Sequence, residues 1–149
     1  MNVFIVCASK IKNDSHIGKL ITEYQKRLTS IKLTICEFDE RNMSKEKINE
    51  KIFSLIKPNS YKILLDEKGK DLSTLQLKKL MVDSYNQNQK NITFLIAGSD
   101  GFTDDARSKA DYILSLSALT FPHQIARMLL VEQIYRVQSL INNHPYHRE

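Results

Sequence analysis

Residues 114–149 read LSLSALTFPHQIARMLLVEQIYRVQSLINNHPYHRE, and they carry more information about the fold than any other stretch of the chain. A short apolar segment leads through a turn into one long helix, which ends in a polar aromatic tail. Pro122 stands just inside the helix start, with Thr120 as the expected cap. Apolar residues then recur at 125, 129, 130, 134, 137, 140 and 141, the spacing of one helical face. Met128, Val131 and Tyr135 add a second apolar stripe, so one side is expected against the sheet of its own domain and another against a neighbouring subunit. Glu132 and Arg136, four apart, fit a surface ion pair. Asn142, Asn143 and Pro145 stop the helix. His144, Tyr146, His147 and Arg148 follow on a terminus that cannot build its own core. Four side chains able to hydrogen-bond, stack or carry charge there point to a functional role.

Upstream, apolar runs alternate with helical patterns. Residues 2–8, NVFIVCA, lack polar alternation and read as a strand buried on both faces. Residues 15–28 follow as a helix capped by Ser15, with Ile17, Leu20, Ile21, Tyr24 and Leu28 at helical spacing. The beat repeats with strands at 32–38, 61–65, 91–97 and 112–116. Helices are expected at 44–56, 73–85 and, shorter, 104–109. The polar segment 39–43 is short on turn glycines and is expected to be mobile. Strands alternating with helices imply parallel crossover units, hence an α/β fold with ligand sites at the C-terminal ends of strands.

The chain of 149 residues has room for one domain, 1–149, and none for a separate RNA-binding module. No apolar run reaches the roughly 20 residues of a membrane span. The N-terminus, MNVFIVCASK, has no basic region before its apolar stretch, so a cytoplasmic location is expected. Cys7 and Cys36 lie inside strand-like runs and read as buried reduced thiols, and the four histidines show no metal-ligand spacing. Lysine and arginine outnumber aspartate and glutamate by 11 to 7 in residues 1–60, but stand at 8 to 7 in 61–110 and 3 to 3 in 111–149. The positive excess, including Lys10, Lys12, Lys19, Lys26 and Arg27, suits a polyanion and equally suits a lysine-rich solvated surface.

Three strand ends are chemically unusual. Gly98 and Gly101 follow a buried strand and allow close approach of main chain to a ligand, or a plain turn. No GxGxxG or GxxxxGK[ST] occurs, which excludes the dinucleotide and P-loop readings. Residues 116–121 offer small hydroxyls, freed backbone groups and apolar walls from Leu116, Leu119 and Phe121, the combination an adenine ring requires. The third end is Leu65-Asp66-Glu67-Lys68-Gly69-Lys70.

The strings LSxxTFPHQxxRxxLxEQxYR and NHPYHRE resemble the C-terminal signature of the RlmH family. These are SPOUT-superfamily methyltransferases that act on N3 of a pseudouridine in the 23S ribosomal RNA of the large subunit. Length matches from end to end. The resemblance implies a single-domain α/β trefoil knot with a mostly parallel sheet flanked by helices, S-adenosyl-L-methionine as cofactor, a homodimer, and large-subunit ribosomal RNA in the ribosome as partner. It places cofactor contacts on Leu65, on Ala97 and Gly98, and on Leu116, Ser117, Ala118, Leu119, Thr120 and Phe121. The family usually has Gly-Gly where this chain has Ala97-Gly98, so an added methyl stands beside the expected cofactor.

Methyl transfer from a sulfonium is an in-line displacement that needs no metal, so the protein must supply position and remove the N3 proton. His147 is the first candidate to take that proton. Tyr146 is the stacking or orienting partner, and Arg148 the group for phosphate or developing oxyanion. His144 serves equally well as a helix-stop residue, and His123 fits a structural role in the first helical turn. Arg127 fits the cofactor carboxylate or RNA, and equally an ordinary exposed arginine. The tail is expected to complete the site across a dimer. The rival functions are a related transfer-RNA methyltransferase and a ribosome-binding protein that has lost catalysis, for which Ala97 is the hint.

Overall fold

Five parallel strands in the order β2-β1-β4-β3-β5 form the sheet of the computed structural model, which describes residues 1–87 and 90–148. The strands are β1 (Asn2–Cys7), β2 (Lys32–Glu37), β3 (Ser60–Asp71), β4 (Asn91–Ile96) and β5 (Tyr112–Ser115). The helices between and after them are α1 (His16–Arg27), α2 (Lys45–Ser54), α3 (Thr74–Asn86), α4 (Asp104–Lys109) and α5 (His123–Ile141). Every element expected from the pattern is present, within a few residues at its ends except for β3.

The middle strand, β4, is buried from Ile92 to Ile96, and β1 from Ile5 to Cys7, as unbroken apolar runs on central strands should be. Successive side chains point to opposite faces. Ile5, Cys7, Phe94 and Ile96 join the cluster packed by α1, α3 and α5. Val6 and Leu95 join the cluster with α2 and α4, built around Phe38, Ile48, Ile52, Phe102 and Ala106. Each such side chain stabilises the fold by about 1.5–3 kcal/mol on burial.

Serine and threonine caps set four helix starts: Ser15, Ser44, Ser73 and Thr103 each accept a backbone N–H of the first turn. The last helix differs from expectation. Pro122 itself is the cap residue and no side chain caps α5, because the Thr120 hydroxyl donates instead to Glu67 Oε2 at 2.6 Å. Its C-terminus closes in a Schellman motif. Asn143 takes a left-handed φ of 54°, and the His144 N–H reaches back to the Ser139 carbonyl at 2.8 Å.

The second stripe of α5 needs no neighbouring subunit. Met128 and Val131 are buried in the chain's own core beside α1, and Tyr135 meets Tyr24 of α1 edge-on at 5.7 Å. Gln138 is buried at the same seam. Its Oε1 accepts the N–H groups of Thr29, Ser30 and Ile31 at 2.9–3.1 Å, and its Nε2 donates to the Arg27 carbonyl. One amide thereby fixes the turn from α1 into β2.

β3 runs past its expected end at Leu65 to Asp71. It pairs Leu65 with Leu114, departs over residues 66–69, and returns to pair Lys70 with Leu114 and Asp71 with Ser115. Gly69 permits the return: a Cβ there would lie 2.7–2.8 Å from the Ile113 and Leu114 backbone. The polar segment 39–43 makes its turn through Asn42, φ 63°, in place of glycine. The chain passes from β2 across to β3, back to β4 and out to β5. The switch in order therefore opens crevices beside the C-terminal end of β4.

Candidate active site

A cleft of about 750 Å³ opens at the C-terminal ends of β3, β4 and β5. Eight of the nine expected cofactor residues line it: Leu65, Ala97, Gly98, Leu116, Ser117, Leu119, Thr120 and Phe121. Ala118 is exposed and stands outside the lining. The volume suits a nucleoside-sized ligand, and the walls differ in chemistry. Leu116, Leu119, Phe121 and Pro122 make an apolar side next to α5. Lys45, Asp100 and Arg107 make a charged side next to α2 and α4.

The glycine turn after β4 closes on itself, with the Gly101 N–H donating to the Gly98 carbonyl at 3.1 Å and Gly101 at φ 74°. Only Gly101 has the positive dihedral; Gly98 is constrained differently, since a methyl there would run into the Glu40 carboxylate. The Ala97 side chain packs against the apolar cluster of α2 and α4, which gives the added methyl an apolar neighbourhood. Asn49 of α2, buried, holds the turn's far side by accepting the Thr103 N–H at 2.9 Å and reaching the Gly101 carbonyl at 3.4 Å.

On the same charged side, Asp66 Oδ2 pairs with Arg107 Nε at 2.8 Å, and Asp66 Oδ1 accepts the Lys68 N–H. Burial pushes the Asp66 carboxyl up, but the hydrogen bonds from Lys68 and Arg107 and the guanidinium charge together hold it below the usual range. Arg107 also pairs with Asp104, so two carboxylates compensate its charge.

The three expected catalytic residues lie elsewhere. Tyr146 folds back onto α5 and α1: its ring meets Tyr135 edge-on at 4.6 Å, and its hydroxyl lies 3.1 Å from both the Tyr24 hydroxyl and Glu132 Oε1. Desolvation, then Tyr24 and Glu132, raise its pKa, so the phenol stays protonated at neutral pH. Arg136 pairs with Glu132 at 2.6 Å, covers the Tyr146 ring at 5.0 Å, and meets His147 Nδ1 at 3.3 Å. Arg148 is exposed. His144 does stop the helix, through its backbone N–H to Ser139, and also accepts the Tyr146 N–H.

Twelve residues separate Tyr135, under the tail, from His123 at the cleft. At 1.5 Å rise per residue that is about 18 Å along α5. Tail and cleft of one chain therefore do not meet. Arg127 joins neither. It is buried, pairs with Glu37 at 2.6 Å and donates to the Ser9 carbonyl at 2.7 Å, which replaces both the ligand-facing and the exposed expectation.

Sequence reasoning missed Lys45, Arg107 and His123 on the cleft, and Glu132 and Arg136 as the bed of the tail. Asp66, which pairs with Arg107, sat next to an expected strand end, a usable signal. Lys45 lies on a helix with no local cue. Lys10, Lys12, Lys19, Lys26 and Arg27 are all exposed, and Arg27 stacks on Tyr24 at 4.9 Å beside the tail. Both cysteines are free, and burial pushes the Cys7 thiol up to about 12, which makes it inert. No His, Cys, Asp and Glu cluster able to hold a metal occurs among the described residues, and no described helix is long and apolar enough to cross a membrane.

Comparison with known proteins places this geometry. A solved structure titled a probable methylase family protein from Haemophilus influenzae Rd KW20 superposes with a TM-score of 0.60, covering 99% of this chain and 70% of the other, at 11% identity; this likeness concerns the fold alone. The family model described as "Predicted SPOUT methyltransferase" matches residues 1–147. Proteins named ribosomal RNA large subunit methyltransferase H from Clostridioides difficile (strain 630) and Fusobacterium nucleatum are 41% and 39% identical, each aligned over 99% of this chain and 100% of the relative. One from Methanococcus vannielii, named as putative, is 38% identical over the same shares. With its parallel sheet, its cleft at the strand ends and these matches along nearly its whole length, the chain belongs to the SPOUT methyltransferase family.

Proposed function

We propose that the protein is an S-adenosyl-L-methionine-dependent methyltransferase acting on N3 of a pseudouridine in 23S ribosomal RNA, and that it works as a homodimer. The observation that carries this reading is the convergence of Leu65, the Ala97–Gly98 turn and the 116–121 loop on one cleft with an apolar side and a charged side. The relatives' names supply the class of RNA.

The residues fit the cofactor. Leu116, Leu119 and Phe121 suit an adenine ring, and the turn from Gly98 to Gly101 lines the same cleft, with open space beside Gly101. When bound, S-adenosyl-L-methionine supplies the methyl group to be transferred. The protein's own contribution is orientation and proton removal. His147 takes the N3 proton of the base at Nδ1, after that nitrogen gives up its 3.3 Å contact with the donor-only guanidinium of Arg136. Tyr146 orients the acceptor, and Arg148 holds phosphate or the developing negative charge on the base.

Because the tail lies about 18 Å from the cleft of its own chain, the partner subunit's tail is the natural one to close over it. Exposed Leu119, Ile125 and Leu129, beside the cleft, provide an apolar surface for that partner. The trefoil knot of the family belongs to the same reading. Mass mapping of ribosomal RNA from a deletion strain tests the function. Loss of N3-methylpseudouridine is expected, and an unchanged ribosomal profile sinks it.

A further inference from the structure

We infer that Lys45, on the first turn of α2, pairs with the carboxylate of the cofactor's methionine end; this rests on the cofactor reading above. Three cationic side chains line the cleft: Lys45, Lys68 and Arg107. Arg107 is compensated by Asp66 and Asp104, and Lys68 is exposed. Lys45 is partly buried, and no carboxylate lies within ion-pairing distance of its ammonium among the described residues. A partly desolvated cation facing a cleft without a counter-charge attracts an anionic group of the ligand.

Its position suits one end of the ligand rather than the other. Lys45 stands with α2 and α4 on the charged side, across the cleft from Leu119, Phe121 and Pro122. A nucleoside ring on the apolar side leaves the amino-acid end toward α2. Asp100 lines that same side and supplies a counter-charge for the ammonium of the zwitterion. The dipole of α2 reinforces an anion at its first turn, and exposed Glu46 works against it. The helix is fixed to the cofactor turn: Asn49, one turn after Lys45, donates to the Lys45 carbonyl at 2.8 Å and ties down the Gly101 carbonyl and the Thr103 N–H. Lys45 therefore keeps its distance to the glycine turn.

Calorimetric titration of the full-length protein and of Lys45→Gln compares S-adenosylmethionine with 5′-methylthioadenosine, which keeps the nucleoside and lacks the amino acid. Lys45→Gln is expected to weaken S-adenosylmethionine about tenfold, as loss of one partly solvated charged hydrogen bond does, and to leave 5′-methylthioadenosine within twofold. Lys45→Arg is expected to retain most of the affinity. Equal weakening of both ligands, or no weakening of either, overturns the assignment. Wild-type protein that binds neither overturns the cofactor reading itself. Weakened RNA binding with S-adenosylmethionine affinity intact moves Lys45 to the RNA surface and also overturns it.

Discussion

The cleft at the strand ends and the tail at the far end of α5 are both built from polar turns and aromatic residues, yet they are held in opposite ways. The cleft walls are joined by a few bonds across their mouth, such as Thr120 to Glu67, and leave Leu119 70% exposed. The tail, a chain terminus, is pinned by two aromatic neighbours, a stacked guanidinium and hydrogen bonds to α1 and α5. An open receptacle has to admit and release a ligand. A group that must meet a base held by another chain gains from being rigid beforehand, since ordering it on binding would cost affinity. On the proposed function, the difference separates a site for a small donor from a platform for a large acceptor.

Deleting residues 146–149 tests that separation with the largest effect: methylation is expected to fall at least about a thousandfold with loss of both base and positioning groups, while calorimetry finds cofactor affinity unchanged. Full activity in the truncated protein breaks the comparison. Mixing this truncation with a chain whose cleft is blocked sharpens it, because a composite site predicts partial recovery of activity in the mixed dimer.

Next in size is the seam under the tail. Gln138→Leu leaves three backbone N–H groups of residues 29–31 without their acceptor and is expected to cost about 2–4 kcal/mol, read from denaturant unfolding. Loss confined to the cleft, with tail packing and stability unchanged, would contradict the picture of α1 and α5 as one support.

RNA affinity should fall as salt rises, and reversing charge at Lys10 and Lys12 should reduce the slope of log affinity against log salt by roughly two. An identical slope relocates the phosphate contacts. The smallest effect concerns the cleft wall. Asp66 has its folded-state pKa depressed, so its stabilising ion pair is present above the ordinary carboxylate range and is lost as pH falls through the depressed value. Thermal melts should show Asp66→Asn less stable than wild type near neutrality, with a shallower acid limb, the two proteins converging at low pH.

Much of the fold was legible because apolar runs and helix caps are local signals. Ser15 caps the helix it was expected to cap, and NVFIVCA is a central strand. Misreadings occurred where a side chain had more than one use. Thr120 looked like a cap and instead bonds Glu67 across the cleft, and Met128 and Val131 looked like a subunit interface and instead face α1. Arg127 gave no hint of burial, since its partners Ser9 and Glu37 are far away in sequence. The β3 extension past Leu65 was hidden because charged residues 66–70 carry no strand pattern and depend on Gly69 to reach β5.

By itself the sequence determined the alternation of strands and helices, the helix boundaries and the signature that relates the chain to its family, since propensity, capping and periodicity act within a few residues. Tertiary structure decided the strand order, the juxtaposition of three distant turns around one cleft, the entry of Lys45 into it and the distance between cleft and tail. Those depend on which elements pack together, and packing energy comes from surfaces brought into contact across tens of residues, which no local pattern records.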